Sequence, residues 1–182
     1  MAIKDLKKSK MWIGLQFGNS LIAKQIKKYS KVYYPYTNKL ATHVIALVYQ
    51  YGHFYVYEAT IASNKTFGLN SGARHYTLKK FFKIEEKSLR EYVFYPIKFN
   101  KRILDDRLGE SYAFGSIKDL ILAGTFKNNG KQKDRTGVIC SEYLALAYKD
   151  IQIYFNLPAY CITPAHWQRY CEEMGLTPVT FF

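Results

Sequence analysis

The sequence GVICSEYL at residues 137–144 puts Cys140 in what we predict to be the first turn of an apolar helix. Unpaired backbone N–H groups at a helix N-terminus favour negative charge, so a thiol at this position ionises more easily. Because the thiolate is the nucleophilic form of cysteine, Cys140 is a candidate nucleophile. The alternative is the commoner one, since free cysteines are often buried and act as small hydrophobes. A base elsewhere in the chain would favour the first interpretation.

The candidate base lies in a predicted β-hairpin. Residues 41–50 and 53–60 read as two strands joined by a two-residue turn. In that register His43 and Glu58 are diagonal neighbours on one face, near the open end of the hairpin and within reach of each other. The face is otherwise mostly apolar, so we expect it to point at the core, where an imidazole and a carboxylate need a polar partner. A turn of odd length would instead separate the two side chains onto opposite faces.

Together these residues form a candidate catalytic set. A cysteine nucleophile needs a histidine to take its proton, and the histidine needs a group that fixes its tautomer. Cys140, His43 and Glu58 supply the three residue types. Their order along the chain is the reverse of that in papain-like enzymes, which does not matter because such sites are defined by geometry.

The other histidines and cysteines are weaker candidates. His53 falls on the opposite, solvent-facing side of the hairpin, His75 lies in a predicted basic loop, and His166 is predicted at the surface. Cys161 and Cys171 have no acid–base pattern near them, so we predict structural roles. No cluster of residues has the spacing of metal ligands, and we expect neither a metal nor another cofactor.

The rest of the chain predicts a mixture of antiparallel strands and helices, which makes the fold class α+β. Apolar patterning predicts strands over residues 11–17 and 91–99, a short strand or edge segment over 78–84, and an extended tail over 177–182. Helical spacing predicts helices over residues 21–29, 100–108, 116–123, 140–150 and 165–174. Loops are predicted over residues 61–77 and, exposed and basic, over residues 125–136.

The composition indicates one folded domain. The 182 residues include 17 Tyr and 12 Phe, with no repeat and no low-complexity stretch. The three cysteines form no C-x-x-C pair, which argues against a disulfide framework or a zinc ribbon and favours a reducing compartment. No stretch has the character of a signal peptide or the length of a transmembrane helix, so we expect a cytoplasmic protein.

The net charge of +13 is concentrated in two regions. Residues 1–31 carry eight Lys against one Asp, and residues 72–102 carry nine Lys or Arg against three Glu. Such surfaces attract polyanions, which include nucleic acid, anionic lipid and acidic wall polymers. The simpler interpretation is a solvated basic face that keeps the protein soluble. The sequence contains no zinc-finger or RRM signature.

Several short pieces of the sequence follow one known pattern. They are the strand and helix start at residues 13–26, Thr-His-Val at 42–44, Glu-Ala at 58–59, Tyr-Ala-Phe at 112–114, Ile-Cys-Ser-Glu-Tyr-Leu at 139–144 and Thr-Pro-Ala-His-Trp at 163–167. In this order they resemble the circularly permuted NlpC/P60 (papain-like) superfamily, especially its permuted amidase-like branch, which occurs in bacteria and viruses. The Cys-Ser-Glu helix start is the most specific piece. The family's Gly-Asp pair at the first strand is absent, and Lys10-Met11 stands there instead.

The resemblance implies a permuted papain-like α+β fold, formed by residues 1–182 as one domain. In it the helix that carries the nucleophile packs against an antiparallel sheet that carries the histidine. It implies Cys140 as nucleophile, His43 as general base, Glu58 as orienting residue and Tyr112 as a donor near the oxyanion.

The activity implied is that of a thiol hydrolase or acyltransferase, which would attack an amide or ester and form an acyl-enzyme. Superfamily relatives cleave wall peptides or act on lipid acyl groups, so peptide, amide and lipid acyl substrates all stay open. The alternative from another class is a non-catalytic binding or structural protein of phage or viral type, whose basic surface binds a polyanion.

Overall fold

The structure, a computed structural model, describes residues 9–86, 90–113 and 137–181. Its strands are β1 Met11–Phe17, β2 His43–Gln50, β3 His53–Thr60, β4 Gly72–Thr77, β5 Glu91–Pro96 and β6 Val179–Phe181. They form one six-stranded sheet in the order β4-β3-β2-β1-β5-β6, and every neighbouring pair is antiparallel. The helix predicted over residues 116–123, the basic loop over 125–136 and the start of the basic N-terminal region lie outside the described residues.

The helices of the described chain are α1 Leu21–Ser30, α2 Leu78–Glu85, α3 Lys101–Asp106, α4 Cys140–Ala147, α5 Lys149–Phe155 and α6 Pro164–Glu173. Short 3-10 helices occur at Lys65–Phe67 and Ala159–Cys161. The predicted α+β class is therefore confirmed. Along the described stretches, every helix is too short or too polar to cross a lipid bilayer.

Both faces of the sheet are buried, each under different helices. The first core joins one face to α3, α4, α5 and α6 through Leu104, Tyr143, Ile151 and Trp167. The second core joins the other face to α2 through Phe81. Because successive strand residues point to opposite faces, Val44 enters the first core and Ile45 the second. This two-sided burial explains why β1 and β2 are apolar at nearly every position.

The predicted hairpin is confirmed. Gln50 pairs with His53 across the two-residue turn Tyr51-Gly52. Both turn residues have positive φ, 50° for Tyr51 and 81° for Gly52, which is the combination found in type I′ turns. Since strand side chains alternate with a period of two, this turn fixes which residues of β3 share a face with His43.

The loop prediction for residues 61–77 is wrong for the last six residues, which form β4 against β3. The strand contains Gly72, Arg74 and His75, which weaken the apolar alternation by which strands are recognised. It lies at the edge of the sheet, where polar residues are common.

The prediction of a short strand over residues 78–84 is also wrong, because Leu78–Glu85 forms α2. The Thr77 hydroxyl caps this helix by accepting the backbone N–H three residues later at 3.4 Å. Leu78 and Phe81 are both buried, which is helical spacing. A segment of seven residues, of which four are apolar, is too short for periodicity to separate helix from strand.

The helix predicted over residues 140–150 ends early, at Ala147, and α5 begins two residues later. Tyr148 leaves the helical region with φ −140°. Its hydroxyl shares a hydrogen bond with the Tyr170 hydroxyl at 2.8 Å, while the Ala147 carbonyl accepts the Asn100 N–H at 2.8 Å. Tertiary contacts therefore interrupt a stretch whose sequence spacing is continuous.

The remaining elements follow the predictions with small shifts at their ends. β1 has the predicted bounds, α1 continues to Ser30, and the extended tail supplies β6. β5 stops at Pro96, as expected of a residue that cannot donate to a strand neighbour. α6 begins at Pro164 behind its predicted N-cap, Thr163, whose hydroxyl accepts the His166 N–H at 3.3 Å.

The close packing of the central strand predicts that Gly14→Ala destabilises the protein. A Cβ at Gly14 would lie 2.5 Å from Cε1 of Phe94 and 2.8 Å from Cγ1 of Ile45, both in the second core. We expect the free energy of unfolding to fall by about 1–3 kcal/mol, measured by urea denaturation. Gly18→Ala is the milder comparison. Its Cβ would make one tight contact, with the Thr42 hydroxyl at 3.1 Å, and its next neighbour would be at an ordinary distance of 3.5 Å. Equal losses in the two variants would contradict this account.

Candidate active site

His43 is the first residue of β2, and the preceding residue fixes its position. The Thr42 N–H donates to the Gln16 carbonyl at 2.8 Å, and the Thr42 hydroxyl accepts the Gly18 N–H at 3.0 Å. These bonds hold the beginning of β2 against the end of β1 and the turn that leads into α1. The imidazole therefore projects from a fixed backbone at the end of the sheet.

Glu58 meets His43 across the hairpin, as the register predicts. His43 Nε2 lies 3.1 Å from Glu58 Oε2. Both side chains are largely withdrawn from solvent, with 16% of His43 and 8% of Glu58 exposed. The contact therefore joins an imidazole and a carboxylate inside the protein, where each needs the other.

Two residues of β4 hold the second carboxylate oxygen. Glu58 Oε1 accepts hydrogen bonds from Arg74 Nε at 3.0 Å, Arg74 Nη2 at 2.7 Å and the Tyr76 hydroxyl at 2.7 Å. Because these donors surround Oε1, Oε2 is the oxygen that faces His43. Arg74 and Tyr76 are the site residues that the sequence analysis missed. Their spacing of two was the available signal, but it lay inside the stretch predicted to be a loop.

The electrostatics of Glu58 follow from these partners. Burial alone would raise the pKa of its carboxyl group, but His43, Arg74 and Tyr76 outweigh that effect and lower the pKa to about 2. The carboxylate is therefore ionised throughout the neutral range, and it accepts hydrogen bonds without donating any.

Cys140 is the first residue of α4, and its backbone is positioned by the chain just before it. The segment at Val138 pairs with the segment at Tyr112 in a parallel bridge, with the Val138 N–H donating to the Ser111 carbonyl at 2.9 Å. Gly137 makes this approach possible, since its φ is +100° and a Cβ there would lie 2.2 Å from the Ser111 oxygen. The helix that carries Cys140 is thereby anchored to the segment that carries Tyr112.

Cys140 and His43 come together around the end of the sheet. Cys140 packs in the first core, whereas Glu58 and the side chains that share its strand face lie on the other side of the sheet, toward the second core. The two sides meet at the end of β2, where Cys140, His43 and Glu58 all line one cavity of about 370 Å³. The walls of this cavity also include Arg74, Tyr112 and α1.

The charge state of His43 reflects both neighbours. Burial lowers the pKa of the imidazole, but Cys140 and then Glu58 outweigh burial and raise the pKa to about 10. Since Glu58 engages Nε2, Nδ1 is the nitrogen left to exchange a proton with the Cys140 sulfur. The arrangement thus contains a largely buried imidazole with a carboxylate on one side and a thiol on the other.

Tyr112 lies at the same cavity. Burial, followed by the nearby Cys140 and Glu58, raises the pKa of its phenol well above the ordinary value. The hydroxyl group therefore keeps its proton and is available as a hydrogen-bond donor. The Phe114 end of the Tyr-Ala-Phe motif lies outside the described residues.

The other histidines and cysteines are separate from this site. His53 is exposed, as predicted. His75 is on β4, not in a loop, and stacks on Tyr57 with ring centroids 5.3 Å apart. The surface prediction for His166 is wrong: the residue is 3% exposed and its Nδ1 accepts the Thr163 N–H at 3.1 Å. Cys171 is fully buried, and burial raises the pKa of its thiol.

A metal site or a known relative would each narrow the chemistry of the site. Within residues 9–86, 90–113 and 137–181, no group of three or more His, Cys, Asp or Glu side chains is arranged to hold a metal ion. The sequence matches no known family model and no curated protein. The likeness to the permuted NlpC/P60 superfamily therefore rests on the residues quoted above.

The first prediction from the site concerns the imidazole. Cys140 is the largest of the influences that raise the pKa of His43, so Cys140→Ala should lower that pKa from about 10. An NMR titration of the imidazole in the two proteins measures this shift. His166 is the internal control, because burial and Arg169 hold its pKa near 4 and Cys140 makes no contribution. An unchanged His43 titration would mean that the thiol does not reach the imidazole.

The second prediction concerns Arg74. A carboxyl group whose pKa is lowered in the folded protein stabilises the fold when the pH is above its ordinary pKa. That contribution is lost as the pH falls through the pKa of the folded state. For Glu58 the pH window of this loss runs from 4.5 down to about 2. Arg74→Met should therefore lower the free energy of unfolding by about 3–5 kcal/mol at neutral pH, and the difference from the wild type should shrink across that window.

Urea denaturation at a series of pH values measures this effect. Arg102→Met is the matched control, since its partner Asp106 is 3.8 Å away and both side chains are exposed, which limits the loss to about 1 kcal/mol or less. Glu58→Gln should abolish the titration in the window. A difference between Arg74→Met and wild type that is the same at every pH would contradict the assignment.

Proposed function

We propose that the protein is a cysteine hydrolase or acyltransferase that acts on an amide or ester through Cys140, His43 and Glu58. One observation carries the proposal: a largely buried imidazole that is bound by an ionised carboxylate and lies beside a thiol at a helix N-terminus, on the wall of a cavity. Those are the parts that an activated cysteine nucleophile requires.

The reaction begins with the transfer of the Cys140 proton to Nδ1 of His43. The resulting thiolate is stabilised by the imidazolium and by the N–H groups of the first turn of α4. Oε2 of Glu58 accepts a hydrogen bond from the Nε2–H group of His43, which fixes the ring orientation and favours the charged imidazole. Cys140 and Glu58 raise the pKa of His43 to about 10, so the imidazole holds the transferred proton at neutral pH.

The thiolate then attacks the carbonyl carbon of the substrate, and the carbonyl oxygen becomes an oxyanion. Collapse of this intermediate breaks the bond to the leaving amine or alcohol, which takes the proton from His43. A thioester of Cys140 remains. Water, or a second acceptor in the transferase case, attacks the thioester while His43 takes its proton. The bond between the acyl carbon and the Cys140 sulfur then breaks, the acid or the acylated acceptor leaves, and His43 returns the proton to the sulfur.

Tyr112 is the proposed donor to the oxyanion. Its phenol keeps its proton and lies at the cavity near Cys140. A donor that is already oriented toward the developing negative charge stabilises the transition state. The backbone N–H groups at the start of α4 have no helical carbonyl partner and are further candidates for this role.

For the fold, we propose the permuted papain-like arrangement. The helix of Cys140 packs against an antiparallel sheet, and the strand that bears His43 precedes it in the chain. This order, together with the Cys-Ser-Glu helix start, supports the permuted form over the order of papain itself.

The buried charges favour catalysis over the non-catalytic alternative. Ion pairs withdrawn from solvent are costly, and an apolar packing of similar volume is often at least as stable. Strongly shifted pKa values in a cleft are typical of functional sites. The Arg74–Glu58–His43 array is such a group, and surface binding to a polyanion does not need it.

The proposal predicts selective reactivity at Cys140. With limiting iodoacetamide, Cys140 should be alkylated faster than Cys161 or Cys171, as measured by mass spectrometry of the peptides. His43→Gln should slow the reaction of Cys140 by about a hundredfold, since a positioned base contributes that much or more. Cys171 is an internal reference for a buried thiol whose pKa is raised. Equal rates at the three cysteines, or no effect of His43→Gln, would refute the nucleophile assignment.

A second experiment tests acyl transfer to Cys140. Incubation with p-nitrophenyl acetate should release p-nitrophenolate in a burst and leave an acetyl thioester on Cys140, which intact-mass measurement detects. Cys140→Ser and His43→Gln should remove the burst.

A further inference from the structure

The glutamine beside His43 lies in the wall of the cavity. Gln16 on β1 pairs with His43 on β2 and with Tyr92 on β5, so the three side chains lie side by side on one face of the sheet. All three residues line the cavity, and Gln16 is 6% exposed. Strand β1 therefore places a largely buried amide group next to the imidazole that carries the proton in the proposed reaction.

One end of this amide group is held by Tyr92. Gln16 Nε2 donates a hydrogen bond to the phenol oxygen of Tyr92. Burial, followed by Glu85 at the end of α2, raises the pKa of this phenol well above its ordinary value, so the phenol keeps its proton and donates it to Glu85. Since a phenol has one proton to give, Tyr92 can only accept from Gln16. The amide nitrogen of Gln16 is thereby fixed on the Tyr92 side.

The other end of the amide group is the oxygen Oε1. In the described part of the chain it has no hydrogen-bond partner, and it is not sealed from solvent as the unpartnered Ser141 hydroxyl is. Because Gln16 lines the cavity, Oε1 opens into the cavity. A carbonyl oxygen in a largely buried position needs a hydrogen-bond donor. The donor to Oε1 must therefore come from a molecule that enters the cavity.

We propose that Oε1 of Gln16 accepts the N–H of the scissile amide and so selects amides over esters. This inference rests on the hydrolase or acyltransferase chemistry proposed above. In that chemistry His43 gives its proton to the leaving atom, so the leaving atom lies within hydrogen-bond reach of His43. Gln16 is the neighbour of His43 on the same face of the sheet. The leaving nitrogen of a secondary amide carries an N–H for Oε1, whereas the leaving oxygen of an ester carries none.

The fixed orientation of Gln16 is what makes the selection possible. An ester oxygen opposite Oε1 brings two acceptors together and leaves both without a donor in a largely buried position. An amide group that could turn would avoid this conflict by presenting its NH2 to the ester. Tyr92 prevents the turn, because its one proton is given to Glu85 and it has none to donate to Oε1. Tyr92 is therefore a positioning residue, and Gln16 determines the specificity.

Two substrates with the same acetyl and nitrophenyl groups test the proposal. The amide p-nitroacetanilide has an N–H where p-nitrophenyl acetate has an oxygen. The measured quantity is the ratio of kcat/KM for the anilide to kcat/KM for the ester, in which the different intrinsic reactivities cancel when variants are compared. Gln16→Met keeps the length of the side chain but removes the acceptor. It should lower this ratio roughly tenfold, the effect of losing a hydrogen bond to a largely buried group.

Two further variants complete the test. Tyr92→Phe keeps Gln16 but removes the partner that orients its amide group, so it should also lower the ratio. Gln50→Met makes the same chemical change at the other end of β2, beside the hairpin turn and away from the cavity wall, and should leave the ratio as in the wild type. The burst of p-nitrophenolate from the ester shows in each variant that Cys140 and His43 are still assembled.

The outcomes separate this inference from the proposed function. A wild type that gives the ester burst but does not cleave the anilide would overturn the role of Gln16 and leave Cys140 as the nucleophile. So would a ratio that neither Gln16→Met nor Tyr92→Phe lowers, or one that Gln50→Met lowers equally. If the wild type gives no burst and no acetyl group on Cys140, the proposed function fails, and the selection by Gln16 fails with it.

Discussion

The carboxylate of Glu58 is the constraint on which the rest of this structure depends. A charge that is 8% exposed must be compensated by nearby groups, since its transfer from water costs several kcal/mol. Three neighbours supply the compensation: Arg74 and Tyr76 on the adjacent strand, and His43 on the strand beyond the turn. Because these partners come from β2 and β4, the carboxylate cannot be satisfied unless β3 lies between them in the observed register.

The same contacts orient the chemistry. Oxygen Oε1 takes the donors of Arg74 and Tyr76, so Oε2 is directed at Nε2 of His43. The imidazole then has a single nitrogen left for Cys140. An orientation that the sequence alone could not fix, namely which atom faces which partner, thus follows from counting the donors around one carboxylate.

The hairpin and its histidine could be predicted because they depend on local rules. A two-residue turn and a side-chain period of two are enough to bring His43 and Glu58 onto one face. The sequence also identified the helix start at Cys140, through a short apolar run after Gly137. β4 could not be found in this way, because the meaning of Arg74 depends on Glu58, which lies 16 residues earlier in the chain.

The other errors have the same origin. The residues over 78–84 satisfy both a strand and a helix, and only their burial against the second core decides the matter. His166 is polar by residue type, yet rings of Tyr33 and Phe155 cover it at centroid distances of 4.5 and 4.8 Å. Contacts between distant parts of the chain determined each outcome, and local periodicity carries no information about them.

The position of the site at the end of the strands follows from the burial of both sheet faces. Along the middle of β2, residues 44–48 are buried in one core or the other, so a charged array there would be sealed from any substrate. His43, the first residue of β2, is 16% exposed and lines the cavity. There α4 can present Cys140 from one side while Glu58 holds His43 from the other, and the cavity lies between them. A site assembled from both faces therefore requires the end of a strand. Further along β2, the residues that follow His43 are apolar and buried, so they offer no such position.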